Sequence, residues 1–351
     1  MKKSLIALAA LAAVTTASAQ SSVTVSGALI LGVGTTELGT ATSDLQIVRS
    51  TGNIGFSGTE DLGGGLKAGF NFQTTFGQAA ATNVTVSAQA AQRTLLGDRQ
   101  AHLTLSGDLG TVLVGKGSSA IKAMGGIYDV SGLPLINGLG AGDSGESFST
   151  AGNIAIAAGD TNARIIYGDA FTNQLSYSSP SINGFSVSVG MTPVQTTSTG
   201  VGDDSVGKDS YSYSLSYSNG PLNAVINLTD VQGGTAPYQL TTVAANYDLG
   251  VAKIGVTQQS VRLDSGTNPG NATAITASIP LGAGAIGVGY GRRLASGSSS
   301  TSFGDDVKHT FFGYKHNLSK RTSISAIMSN IDRTGTTTDL KETHILIGHS
   351  F

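Results

Sequence analysis

Hydrophobic and polar residues alternate in short runs along most of the chain. Leu66-Lys67-Ala68-Gly69-Phe70-Asn71-Phe72-Gln73, Phe185-Ser186-Val187-Ser188-Val189 and Ser323-Ile324-Ser325-Ala326-Ile327-Met328 each carry one apolar face and one face of small or polar residues. A period of two is the signature of β-strands, and helical periodicity is almost absent. Tight-turn residues punctuate the runs at Thr59–Gly63, Ser106–Gly110, Ser181–Gly184, Ser218–Pro221, Asp248–Gly250, Pro280–Gly284 and Asn317–Lys320. Alternating with longer connections, these turns predict about 16 strands, with short turns at one end and long polar loops at the other. The long loops are expected at Gly77–Arg93, Pro193–Ser210 and Ala295–Asp306 among others.

The first residues follow another pattern. Lys2 and Lys3, the apolar run Ser4–Val14 and the small residues Ala17-Ser18-Ala19 form a secretory signal that ends at Ala19. That run is too short for a membrane helix, which needs about 20 apolar residues. No later stretch is long enough either, so a membrane-spanning version of this chain has to be a closed β-barrel, in which every backbone group pairs within the wall. With residues 1–19 removed, residues 20–351 supply about 21 residues per strand and connection, enough for about 10 to cross at a tilt.

Composition narrows the function classes. The 351 residues include 49 Gly, 7 Pro and no Cys or Trp, and only 12% are charged. Lack of Cys removes disulfides, thiolate catalysis and Cys-ligated metals. A formal charge of −2 gives no footprint for nucleic acid, and 39% hydrophobic residues argue against disorder. The five histidines, His102, His309, His316, His344 and His349, form no i, i+4 pair, so neither a metal nor another cofactor is expected. Gly282-x-Gly284-x-x-Gly287 has the letters of a dinucleotide fingerprint without a βαβ context, and no Gly-x-Ser-x-Gly elbow occurs.

One interval is twice the usual length. Between the turns near Asp108 and Ile182 the pattern leaves room for a loop of about 50 residues, from Gly117 to Asp169, rich in Ala, Ile and Leu. A loop so long and so apolar has to pack against something, and the barrel lumen is the available surface.

The chain resembles the general porins of beta-proteobacterial outer membranes. The resemblance rests on Gly58-Thr59-Glu60-Asp61-Leu62-Gly63-Gly64-Gly65-Leu66-Lys67-Ala68, on Arg99-Gln100-Ala101 with Leu105-Ser106-Gly107 and Gly110-Thr111-Val112, and on Tyr177-Ser178-Ser179-Pro180 with Gly184-Phe185. Gly220-Pro221-Leu222, Tyr247-Asp248-Leu249-Gly250, Gly313-Tyr314, Leu318-Ser319-Lys320-Arg321-Thr322 and the ending His349-Ser350-Phe351 extend it over nearly the whole mature chain. It implies an all-β, 16-stranded antiparallel transmembrane β-barrel whose long third outer loop folds inward. It also implies a homotrimer in the lipid and lipopolysaccharide of the outer membrane, passing ions and small hydrophilic solutes. Phe351, which shares parity with Ile345 and Ile347, is implied to be the signal read by the barrel-assembly machinery.

Strand parity then nominates the residues at the narrow point. Lipid-facing Ile54 and Phe56 turn Arg49, Thr51 and Asn53 inward, and Lys67 opposes Leu66 and Ala68. The family often carries arginine at the position of Asn53, a role Arg49 partly takes over. Arg99 matches a family arginine, yet simple alternation places it with Ala101 and Leu103. The lumen is favoured, because an unpaired arginine in lipid costs about 2–4 kcal/mol. Lys116 and Arg164 flank the long loop, while Asp129, Asp143 and Glu146 lie on it. Acids on the loop facing bases on the wall would set a transverse field across the constriction. The alternatives are a substrate-selective channel, an outer-membrane barrel enzyme and an adhesin. They would require an aromatic ladder, a convergent nucleophile and base, or a fixed repeat.

Overall fold

The computed structural model describes residues 22–39, 41–42, 44–75, 97–135, 150–151, 154–155, 165–166, 171–193, 209–232, 237–264, 270–295, 306–333 and 339–351. The expected signal at Met1–Ala19 lies outside the described residues, as do most of the long outer loops.

Sixteen long strands form one antiparallel sheet. The first eight are β1 (Ser22–Leu38), β2 (Gln46–Gly63), β3 (Leu66–Thr75), β4 (Gln100–Gly107), β5 (Gly110–Ser118), β6 (Phe171–Ser178), β7 (Phe185–Thr192) and β8 (Ser210–Asn219). The second eight are β9 (Leu222–Val231), β10 (Tyr238–Asp248), β11 (Lys253–Leu263), β12 (Gly270–Leu281), β13 (Gly284–Ala295), β14 (Val307–Asn317), β15 (Thr322–Arg333) and β16 (Leu340–Ser350). Each pairs with its chain neighbours, and β16 returns to β1 from Ala28↔Ser350 to Leu38↔Leu340. Closure leaves no open sheet edge, which is the condition for a sheet to cross lipid. Among the described residues no helix is long and apolar enough to cross a membrane.

Six of the seven predicted turns join consecutive strands, whereas Thr59–Gly63 continues β2 and the chain turns just after it, at Gly64 and Gly65. At Ser181–Gly184, Asn183 and Gly184 have φ of 53° and 89°, the paired left-handed conformation that suits a two-residue hairpin. Near these turns the aromatics form local contacts: Phe185 lies tilted against Tyr217 with ring centroids 4.6 Å apart, and the Tyr177 hydroxyl donates to the Leu109 carbonyl at 2.5 Å. Such amphipathic rings suit the interface girdle of a barrel.

Alternation sets the two faces. Phe185, Val187, Val189, Tyr213 and Leu215 are exposed, whereas Ser186, Ser188, Ser212 and Ser214 occupy the opposite rows. The register also explains one departure from the predicted pattern. Ile30 pairs with Thr51 but Leu31 pairs with Arg49, so a bulge at Ser50 shifts the parity of everything before it. Arg49 therefore holds a register position opposite Leu31, in the row of Val33 and Ile47 rather than that of Thr51 and Asn53.

The buried apolar core lies inside the barrel. Val307, Phe311, Ile327, Ile331, Leu340 and Leu346 project inward from β14–β16 and pack with Ile121, Met124, Tyr128, Leu133, Ile165 and Ile166 of the long connection after β5. Towards the end of β16 both faces are apolar: Ile345 and Ile347 are exposed, while Leu346 between them is fully buried. The inner face tolerates this because the loop covers it.

Candidate functional site

Residues 119–135 leave the end of β5 and cross the lumen. Two single-turn helices, α1 (Ala120–Ala123) and α2 (Gly125–Tyr128), begin the crossing. Ser119 caps α1, its Oγ accepting from the Lys122 amide at 3.1 Å. After α2, Asp129 Oδ1 accepts from the Ser131 amide at 3.0 Å and from its hydroxyl at 2.7 Å, a turn that the short acidic side chain favours. Burial pushes the Asp129 carboxyl above its ordinary value, and the Ser131 bonds oppose that shift.

The wall holds this segment at both ends. Asn246 on β10 donates from Nδ2 to the carbonyls of Gly126 and Ile127, each at 3.3 Å. Thr276 on β12 donates to the Tyr128 carbonyl at 3.0 Å and accepts from the Val130 amide at 3.1 Å. On the far side the Ser50 hydroxyl on β2 donates to the Leu135 carbonyl at 3.3 Å. A segment bonded to β10, β12 and β2 from their inward rows lies inside the barrel and narrows it. Glycines make room for it: a Cβ on Gly255 would lie 3.1 Å from the Ile127 oxygen, and one on Gly313 would lie 3.0 Å from Leu133 Cδ1.

Across the lumen a polar chain links three strands. Gln73 Nε2 donates to Asn53 Oδ1 at 3.2 Å, and Arg99 Nε donates to Gln73 Oε1 at 3.1 Å. Asn71 Nδ2 donates to Gln100 Oε1 at 2.9 Å. Arg99 stands ahead of β4, in a turn whose Asp98 accepts from the Thr74 hydroxyl and the Thr75 amide at 3.0 and 2.8 Å. It is therefore outside the alternation that placed it with Ala101, and its guanidinium reaches the inward row through Gln73.

The other nominated residues fall in different places. Lys67 occupies the inward row beside Ser106, is exposed and sits two residues past the short turn at Gly64 and Gly65. Lys116 pairs with Ala101, in the apolar row of Leu103 and Val114, so the register favours the outward face at the outer rim. Asp143, Glu146 and Arg164 lie outside the described residues. Asp129 is on the crossing segment, with one oxygen engaged by its own turn.

Sequence reasoning missed the polar groups on the inner faces of β13–β16. Arg293, His309, Arg333, Glu342 and His344 are all buried, and His309 Nε2 lies 2.9 Å from Ser329 Oγ. Their parity with Phe311, Ile331 and Leu346 was the available signal. Among the described residues no group of three or more His, Cys, Asp or Glu is placed to hold a metal ion.

A closed barrel of sixteen strands with a loop bonded across its lumen has the geometry of a diffusion pore. The family model for Gram-negative porins matches residues 6–336. The chain belongs to this porin family. It is 33% identical over 343 residues to outer membrane porin protein 32 of Delftia acidovorans, covering 92% of this chain and 88% of that one. It is also 28% identical over 346 residues to major outer membrane protein P.IB of Neisseria meningitidis serogroup B, covering 92% and 91%. Among solved structures, the anion-selective porin from Comamonas acidovorans superposes with a TM-score of 0.64 at 22% identity, covering 95% of this chain and all of that one. Salmonella typhi OmpF in complex with daunomycin gives 0.66 at 13% identity, covering 94% and 97%. At these identities the structural matches speak for the fold alone. This porin is an outer-membrane diffusion channel for ions and small solutes.

Proposed function

We propose that solutes pass between the docked segment 119–135 and the wall of β2–β4, and that this gap selects by size and favours anions mildly. The bonding of that segment from Asn246 and Thr276 to Ser50 carries the reading, since it fixes a constriction inside the barrel. Arg99, buried and bonded through Gln73 to Asn53, places a positive charge behind the wall on this side of the gap, and Lys122 on α1 adds a second. Charges near the narrowest point act in a low-dielectric setting and outweigh net charge in setting ion preference. The neighbour described as an anion-selective porin is consistent with this sign. Lys67 belongs to the vestibule at the short-turn end. Asp143 and Glu146, on the same long connection, are the acidic candidates for the facing side, and Arg164 near its end is a further base.

The same reading makes the channel passive, with no catalytic step, exported by the signal at Met1–Ala19. It assembles as a trimer, as one neighbouring porin is described, within lipopolysaccharide and through the assembly machinery that reads Phe351. Reversal potential in a planar bilayer under a KCl gradient tests the ion preference. Anion preference gives the sign set by chloride, and a cation-selective potential contradicts the assignment.

A further inference from the structure

We propose that Asn223 on β9 is a positioning residue for the constriction: it turns the Asn246 amide so that its nitrogen, not its oxygen, meets the docked segment. The proposal rests on the reading of residues 119–135 as the constriction. Ser218, Asn223, Asn246, Gly255 and Thr276 stand opposite one another in register on β8–β12, forming one row of the inner wall. The docked segment lies along this row. Asn246 donates to the Gly126 and Ile127 carbonyls, Gly255 leaves room for the Ile127 oxygen, and Thr276 holds Tyr128 and Val130. Among the described residues the Asn223 side chain bonds to Ser218 and Asn246, not to the segment itself.

An asparagine amide has the same outline either way round, with donors on one arm and an acceptor on the other. At Asn246 the arms are not interchangeable. The segment side meets two carbonyl oxygens, which accept and cannot donate, so Nδ2 has to point there. The other arm must then present Oδ1 to the wall, and Asn246 is only 3% exposed, so that oxygen needs a donor from the protein. Asn223 is that donor, its Nδ2 lying 3.0 Å from Asn246 Oδ1. The Asn223 amide is oriented in turn, because the Ser218 hydroxyl donates to its Oδ1 at 2.6 Å. Ser218 is exposed at the end of β8, so the line starts at the wet short-turn end of the barrel and closes on the segment. Both amides in it are paired on both arms, the condition under which a buried polar chain rigidifies what it holds. Packing alone would not require a donor at position 223.

The test is amide hydrogen exchange over residues 125–130 of the intact protein in detergent micelles, read by mass spectrometry. Asn223→Asp keeps the outline of the side chain but, when ionised, offers acceptors on both arms. The Asn246 amide should then swing round to donate to it, setting its own oxygen against the segment carbonyls. Asn223→Ala only removes the donor. Exchange should quicken by about tenfold in Asn223→Asp and by a smaller factor in Asn223→Ala, with the amides of β9 and β10 unchanged. In an Asn246→Ala background, Asn223→Asp should add nothing. Heat-modifiable mobility on gels confirms folding, and Asn223→Leu, which keeps the volume without a donor or a charge, carries the test should the aspartate variant not fold. It should exchange as fast as Asn223→Ala. A larger effect in Asn223→Ala than in the variants that keep the volume would mean that the side chain only fills space. Native exchange in every variant, or an Asn223→Asp effect that persists without Asn246, would also overturn the assignment. Faster exchange in the expected order, together with equal conductance in the native protein and a folded deletion of residues 120–134, would instead contradict the constriction reading and leave the role of Asn223 at Asn246 intact.

Discussion

Gly287 on β13 leaves the space that Leu133 of the docked segment fills: a Cβ there would lie 2.6 Å from Leu133 Cγ and 2.7 Å from the Ser131 carbonyl oxygen. The leucine tip could turn aside, but a backbone oxygen cannot without moving the segment. Gly287→Val should therefore push residues 131–133 off the wall, at a cost of about 1–3 kcal/mol in docking. Changed single-channel conductance with normal heat-modifiable mobility is the expected result, since β13 keeps its ladder to β12 and β14.

Arg99 supplies a second test. Arg99→Gln removes the charge while an amide can still reach Gln73, so the reversal potential should move toward zero in a KCl gradient. An Arg99→Lys variant should retain most of the anion preference. Equal potentials in native protein and Arg99→Gln would place the selective charge elsewhere.

Asp129 makes docking depend on pH. Its carboxyl is raised above the ordinary value of 3.8, so the docked state binds the proton more tightly than the unfolded chain. Its contribution to docking is full below that ordinary value and is lost as pH rises through the raised one. The ionised form of the carboxyl opposes docking, an effect that the Ser131 bonds reduce. Open-channel noise should therefore fall between pH 7 and pH 4, and Asp129→Asn should flatten that dependence. The same pH dependence in both proteins would assign it to another group.

The chain terminus gives a test of assembly. Phe351 exchanges two backbone bonds with Gly27, each 3.0 Å, and its ring covers the spot where a Gly27 side chain would stand, 2.5 Å from Cζ. Deleting Phe351 should reduce the heat-modifiable fraction in the outer membrane, and Gly27→Val should do so partially by displacing the ring. Normal levels in both strains would remove Phe351 from the assembly step.

The fold was legible because lipid outside and water inside impose a period of two, and because tight hairpins demand Gly and Asn at set places. The inward loop was legible from its length and apolar content. Individual site residues were harder to place, for reasons local to each. Arg49 lies beyond the bulge at Ser50, which no composition signal marks. Arg99 precedes its strand, so alternation did not apply to it. Lys116 flanks the loop in sequence yet shares its row with Val114. The covered inner wall carried an unread sign in Ile345-Leu346-Ile347, where a run apolar on both faces means that the lumen side is packed too.

The docked segment as the pore's constriction is tested most directly by single-channel conductance. We would compare the native protein with a variant lacking residues 120–134 and with the Asn246→Ala, Thr276→Val double variant. The native channel should show steady ohmic steps, the deletion clearly larger ones, and the double variant noisier steps shifted upward. Equal conductance in the native protein and a correctly folded deletion would mean that residues 120–134 do not limit the pore.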